Sequence, residues 1–122
     1  MTNIKRYKLA APFAEEFEVV VEINNELLTE ALLHEINNFW CEAEDRLDEY
    51  DGNVLHAVLG ILYRRLWWSI VELGGDAYID QMVSHFKNIE GWPPMDGSFG
   101  IKFVSFDSIE FDHNPTIEEV AL

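Results

Sequence analysis

Phe17-Glu18-Val19-Val20-Val21-Glu22-Ile23 alternates with period two. Phe17, Val19, Val21 and Ile23 share one face; Glu18, Val20 and Glu22 share the other. Alternation with β-branched residues predicts a half-buried strand over about 16–23. Ile4 to Ala10 alternates more weakly and predicts a partner strand over about 4–10, joined through the Pro12 region. Antiparallel pairing places Lys5, Arg6 or Lys8 near Glu18 or Glu22, where opposite charges stabilise a cross-strand pair.

The period then changes. Asn24-Asn25 marks a turn, and Leu28, Leu32, Ile36, Phe39, Ala43 and Leu47 recur at helical spacing. A helix is predicted over about 27–47, with Thr29 as a candidate cap and Asn37-Asn38 as weak helix formers within it. Asp51-Gly52-Asn53 is a break, and Asn53 is a good N-cap for the most apolar segment, about 54–73. There His56, Gly60, Arg64 and Glu72 form a narrow polar strip, with Arg65 and Ser69 beside them. A helix apolar over most of its circumference is buried on several sides, so this one is expected to be central. Gly74-Gly75 ends it as a C-cap.

Tyr78, Ile79, Met82, Val83 and Phe86 predict a third helix over about 76–87. Two prolines and three glycines make 88–100 an ordered loop. A strand returns over about 101–106, and 107–122 is a loose tail or adds an edge strand at Thr116 to Val120. The expected fold class is α+β: one domain spanning 1–122, a two-layer sandwich with a small antiparallel sheet of three or four strands and about three helices on one face.

Composition adds a surface to this frame. Twenty-three acids against eight Lys plus Arg leave a net charge of -15 on 122 residues. With 48% hydrophobic and 13% aromatic content, the chain still has ample material for a core, so it reads as globular. No base falls between Lys8 and Arg46, or after Lys102. Such a surface repels nucleic acid and anionic membrane and attracts basic proteins. Two readings stand: general solvation, or a negative docking face centred on Glu42, Glu44, Asp45, Asp48, Glu49 and Asp51, with Glu30, Glu35 and the strand carboxylates in support. That segment holds one base, Arg46, and its acids oppose the macrodipole at a helix C-terminus, so the helix end is expected to fray or bend.

Candidate chemistry is sparse. Aligning Gly52 with the glycine of a calcium loop puts Leu47 and Val58 in ligand places, and neither ligates. His34-Glu35 begins like a zinc-protease helix, but Asn38 stands where the second histidine belongs. His34, His56, His85 and His113 share no ligand spacing. Neighbouring acids disfavour the Cys41 thiolate. Arg64-Arg65 reads as internal counter-charge for nearby acids. Trp67 and Trp68 point about 100° apart, so one belongs to the core and the other to a contact surface. Trp92 reads as a plug under the proline loop, and Trp40, Trp68, Trp92 and Met95 are the candidate lining of a pocket or interface there.

The expectation is therefore no enzyme, no cofactor and no metal. Direct nucleic-acid binding is not expected either. The lone Cys41 and the lack of an apolar run behind Lys5, Arg6 and Lys8 fit a cytoplasmic protein. Arg64, Arg65 and Glu72 interrupt the longest apolar segment, so no membrane span is expected. A basic protein partner is expected; the rivals are a small-molecule-binding module and a structural homo-oligomer built on exposed aromatics of the central helix.

Four runs carry a resemblance: His34-Glu35-Ile36-Asn37-Asn38-Phe39-Trp40, Ala43-Glu44-Asp45-Arg46-Leu47, Val54-Leu55-His56-Ala57-Val58-Leu59, and Glu90-Gly91-Trp92-Pro93-Pro94-Met95-Asp96-Gly97-Ser98. Together the chain resembles a bacterial family known as domain of unknown function 2528, over about Phe17 to Asp112. The resemblance implies a bacterial protein, often encoded on accessory or mobile DNA, and supplies no functional residues. Small acidic proteins of such elements sometimes inhibit host defence proteins or nucleases. Their carboxylates then stand where DNA phosphates would in a basic groove.

Overall fold

The structure is a computed structural model that describes residues 3–11, 14–109 and 117–121. β1 (Ile4–Ala11) and β2 (Ala14–Asn24) form the expected hairpin, and β3 (Ile101–Phe106) returns to the other side of β2. The sheet is antiparallel with order β1-β2-β3. Four helices lie between β2 and β3: α1 (Glu30–Phe39), α2 (Ala43–Glu49), α3 (Val54–Glu72) and α4 (Ile79–Phe86). This is an α+β fold.

The alternation in β2 sets the layers. Phe17, Val19, Val21 and Ile23 are buried in the core, and burying each such side chain stabilises by about 1.5–3 kcal/mol. On the opposite face Arg6 lies directly across from Glu22 with an N–O distance of 2.9 Å, and Lys8 reaches Glu18 at 3.8 Å. These are the cross-strand pairs the sequence calls for. Tyr7 and Leu9 sit opposite Val21 and Val19 and pack on the core.

α3 is the central helix. It is long and apolar enough to cross a bilayer by length and composition. Here Ala57, Val58, Leu62, Leu66 and Ile70 are fully buried, beneath the sheet and beside α1. The Asn53 side chain accepts from the His56 N–H at 3.1 Å, capping its start. At its end the Gly75 N–H donates to the Ile70 carbonyl and the Gly74 N–H to the Val71 carbonyl, a Schellman pattern for which φ values of 93° and 100° suit glycine.

The structure corrects several expected boundaries. The helix expected over 27–47 is two helices. Leu27 and Leu28 belong to a turn, their N–H groups both donating to the Asn24 carbonyl; Thr29 then caps α1 through the Leu32 N–H. A break at Trp40-Cys41-Glu42 separates α1 from α2. The third predicted helix, 76–87, begins later, at Ile79, because Asp76 turns its carboxylate onto the Ala77 N–H. β1 and β2 exceed their expected spans by one to three residues. β3 ends at Phe106: Asp107 pairs its backbone and carboxylate with Glu18, and the Ile109 N–H crosses to the Gly75 carbonyl at 2.7 Å. Residues 117–121 form no strand; Thr116 and the continuation at Glu110-Phe111 lie outside the described residues.

Candidate functional site

The acidic segment is organised by a single arginine. Asn37, 1% exposed, donates from Nδ2 to the Ala43 carbonyl at 3.2 Å and accepts at Oδ1 from Arg46 Nε at 2.7 Å. The same guanidinium donates to the Asn37 carbonyl at 2.8 Å and to the Cys41 carbonyl at 2.9 Å. The last carbonyls of a helix lack intrahelical donors. Arg46 supplies them for α1, and its charge suits the negative end of the helix dipole. The chain therefore turns a corner at Trp40–Glu42 instead of continuing as one helix.

With Arg46 turned inward, the acids of α2 face out. At 100° per residue, Glu44, Asp48, Asp45 and Glu49 fall within about 140° of the helix circumference, while Ala43 and Leu47 face the other way. Leu47 packs on the core. Glu42 and Asp51 flank the helix with left-handed φ values of 62° and 56°. Among the described residues, none of these six carboxylates pairs with a lysine or arginine. Glu44/Asp48 and Asp45/Glu49 are like-charged i,i+4 pairs, which destabilise a helix locally. α2 is thus held by Leu47 and by the Arg46 corner, and its acids remain unneutralised.

Two clefts adjoin this helix and share a wall. One, of about 420 Å³, is lined by Trp40, Glu42, Asp45 and Glu49, with Arg46, Tyr50 and Arg64 among the rest. Glu44, Asp48 and Asp51 lie outside it. The other, of about 530 Å³, runs between β1 and α3. Tyr50, Gly60 and Arg64 belong to both. Gly60 makes the wall: a Cβ there would collide with the Tyr50 hydroxyl.

The expected aromatic pocket is not assembled. Trp92 packs as a plug, its ring centroid 6.1 Å from Trp40 and 5.9 Å from Phe86, and Met95 is fully buried. The indole N–H groups of Trp40 and Trp92 are buried without an acceptor among the described residues, so ring packing holds this contact. Trp68 is elsewhere on α3, 57% exposed and edge-on to Trp67. The apolar depression beside the proline loop, about 320 Å³, is lined by Leu32, Ile36, Phe39, Pro93 and Phe99 and by none of the four expected residues. The reason is that Trp92 and Met95 are spent filling the interior under the loop.

The reading of Arg64-Arg65 as paired counter-charge holds for one of the two. Arg65 binds Glu72 at 3.0 Å and reaches Ser69 Oγ at 3.2 Å. Arg64, one position earlier and so about 100° away, is exposed and makes no ion pair or hydrogen bond among the described residues. His85 lies 3.3 Å from Glu72, His34 3.8 Å from Glu30, and His56 packs edge-on to Tyr7. Among the described residues, no three His, Cys, Asp or Glu side chains converge as a metal site. Cys41 is free and exposed. The Asp96 carboxyl is held below its ordinary 3.8, first by the Ser98 hydroxyl and then by the Ser98 N–H.

The chain is 37% identical over 113 residues to Protein ea10 of Escherichia phage lambda and to the Lambda prophage-derived protein ea10 of Escherichia coli O6:H1, covering 88% of this chain and of each relative. No solved structure matches it significantly. A family model spans residues 18–117, which include β2 from Glu18 onward, β3, all four helices and the proline loop. The chain belongs to that family, described as protein of unknown function (DUF2528), whose relatives here are phage and prophage proteins.

Proposed function

We propose that this is a non-enzymatic interaction protein that docks on a basic protein partner through the outer face of α2. The observation that carries this is the set of six carboxylates around α2 with no cationic partner among the described residues, while the one local base faces inward on backbone carbonyls. A short, anchored helix holds these charges at fixed spacing, as a nucleic-acid backbone holds phosphates. A basic groove built for DNA or RNA is a complementary surface for it. The phage and prophage origin of its relatives fits an inhibitor that acts on a nucleic-acid-handling protein.

The test is binding to a panel of purified nucleases and other basic nucleic-acid-binding proteins, across about 50–500 mM salt. The expected result is saturable binding to at least one, competed by DNA and weakening steeply as salt rises. Changing Glu42, Glu44 and Glu49 to Gln and Asp45, Asp48 and Asp51 to Asn should abolish it. Neutralising Asp80, Glu90, Glu118 and Glu119 instead should leave it nearly intact. Binding indifferent to salt, or equally sensitive to both sets, refutes the assignment.

The 57% exposed Trp68 favours a second reading, self-association through α3. Sedimentation of wild type and Trp68→Ser tests it: a monomer at high concentration in both removes it.

A further inference from the structure

We infer that the cleft between β1 and α3 binds a small aromatic anion, a planar ring carrying a carboxylate or a phosphate. Its volume of about 530 Å³ lies in the range of small-molecule sites. The decisive feature is charge. Acids make up 23 of the 122 residues, yet among the described residues none of the eleven that line this cleft is Asp or Glu. Instead it gathers Arg64 and His56, with the rings of Tyr7, Tyr50 and Tyr63; Lys8 borders the cleft from β1 but reaches Glu18 on the outer face of the sheet.

The parts are already positioned. Tyr63 donates its hydroxyl to the Phe17 carbonyl at 3.0 Å and packs edge-on to Phe17, so its ring is fixed. Tyr7 packs on the core from β1, with His56 edge-on to it at 6.4 Å between centroids. Leu59, 3% exposed, forms an apolar floor. At the wall stands Arg64, whose guanidinium is not engaged among the described residues. A guanidinium presents a planar fork of donors matched to a carboxylate or phosphate. Beyond the Tyr50–Gly60 wall, Glu42, Asp45 and Glu49 repel anions. A ligand is therefore oriented with its ring over Leu59 and its charge against Arg64.

This site shares Tyr50, Gly60 and Arg64 with the cleft beside α2 but uses none of the six carboxylates, so it stands or falls independently of that face. The test is a titration followed by amide NMR, using indole-3-acetate as the aromatic carboxylate and adenosine 5′-monophosphate as the aromatic phosphate. Adenosine and inorganic phosphate serve as the ring alone and the charge alone. At least one aromatic anion should saturate with Kd below about 1 mM and shift resonances in 7–11 and 56–64, and whichever binds tighter identifies the anionic group. Adenosine and phosphate should bind at least about tenfold more weakly. Arg64→Ala should weaken binding about tenfold or more, whereas Arg65→Ala, whose guanidinium is held by Glu72, should not. Neutralising the six acids around α2 should leave the site working. No saturation by either anion up to about 10 mM, or saturation that ignores Arg64→Ala, overturns the assignment.

Discussion

Arg46→Ala tests the corner on which the acidic face depends. The guanidinium holds two acceptors on Asn37, a side chain only 1% exposed, at 2.7 and 2.8 Å. It holds a third, the Cys41 carbonyl, where water can take its place. A hydrogen bond to a charged donor contributes about 1.5–3 kcal/mol when buried. Arg46 is half-buried, which reduces that figure, so losing the two Asn37 bonds should cost about 2–4 kcal/mol. Arg46→Lys offers a point charge instead of a fork and should recover less than half. Urea denaturation followed by tryptophan fluorescence measures the loss directly. Thermal melting should fall by roughly 4 °C for each kcal/mol. The variant should also lose any binding that depends on the α2 face. A cost below about 0.5 kcal/mol, the level of an ordinary surface substitution, would show that the corner does not rest on Arg46.

Other outcomes follow from the same geometry. Glu42→Gly relieves a left-handed φ of 62° and should stabilise by about 0.5–1 kcal/mol in urea, since glycine adopts this conformation without the Cβ clash. Phe86→Ala removes a ring 1% exposed that packs edge-on against Trp92 and Phe103; it should cost about 3–5 kcal/mol, seen as a lower urea midpoint. Asp96 titrates below 3.8 in the folded state, so its stabilising contribution is present above the unfolded value and fades as pH falls through the folded one. Carboxyl NMR titration of Ser98→Ala should move Asp96 back up toward 3.8, because the hydroxyl that lowers it most is gone.

Much of the fold is readable in the chain because it depends on local periodicity. The inward face of β2 follows from alternation at Phe17, Val19, Val21 and Ile23, and the α3 ends follow from Asn53 and Gly74-Gly75. Each signal lies within a few residues of the structure it specifies. The acidic patch is likewise a local excess of charge. What periodicity misses is the corner. Leu28, Leu32, Ile36, Phe39, Ala43 and Leu47 keep helical spacing across a break, because the stripe records which residues meet the core and not whether the backbone between them is continuous.

The hydrophobic pattern, the caps and the net charge of -15 belong to the sequence by itself: they specify an antiparallel hairpin, a buried central helix and an anionic exterior. Tertiary structure alone decides that Arg46 turns inward while its neighbours turn out, that Trp92 fills the interior instead of lining a pocket, and that Arg64 and Arg65 do different work. Tertiary structure also brings Tyr7 of β1 to His56 and Arg64 of α3 at one cleft whose described lining holds no Asp or Glu. The physical reason is that helix and strand preferences act over a few residues, whereas a side chain's electrostatic surroundings are set by whatever the folded chain places beside it.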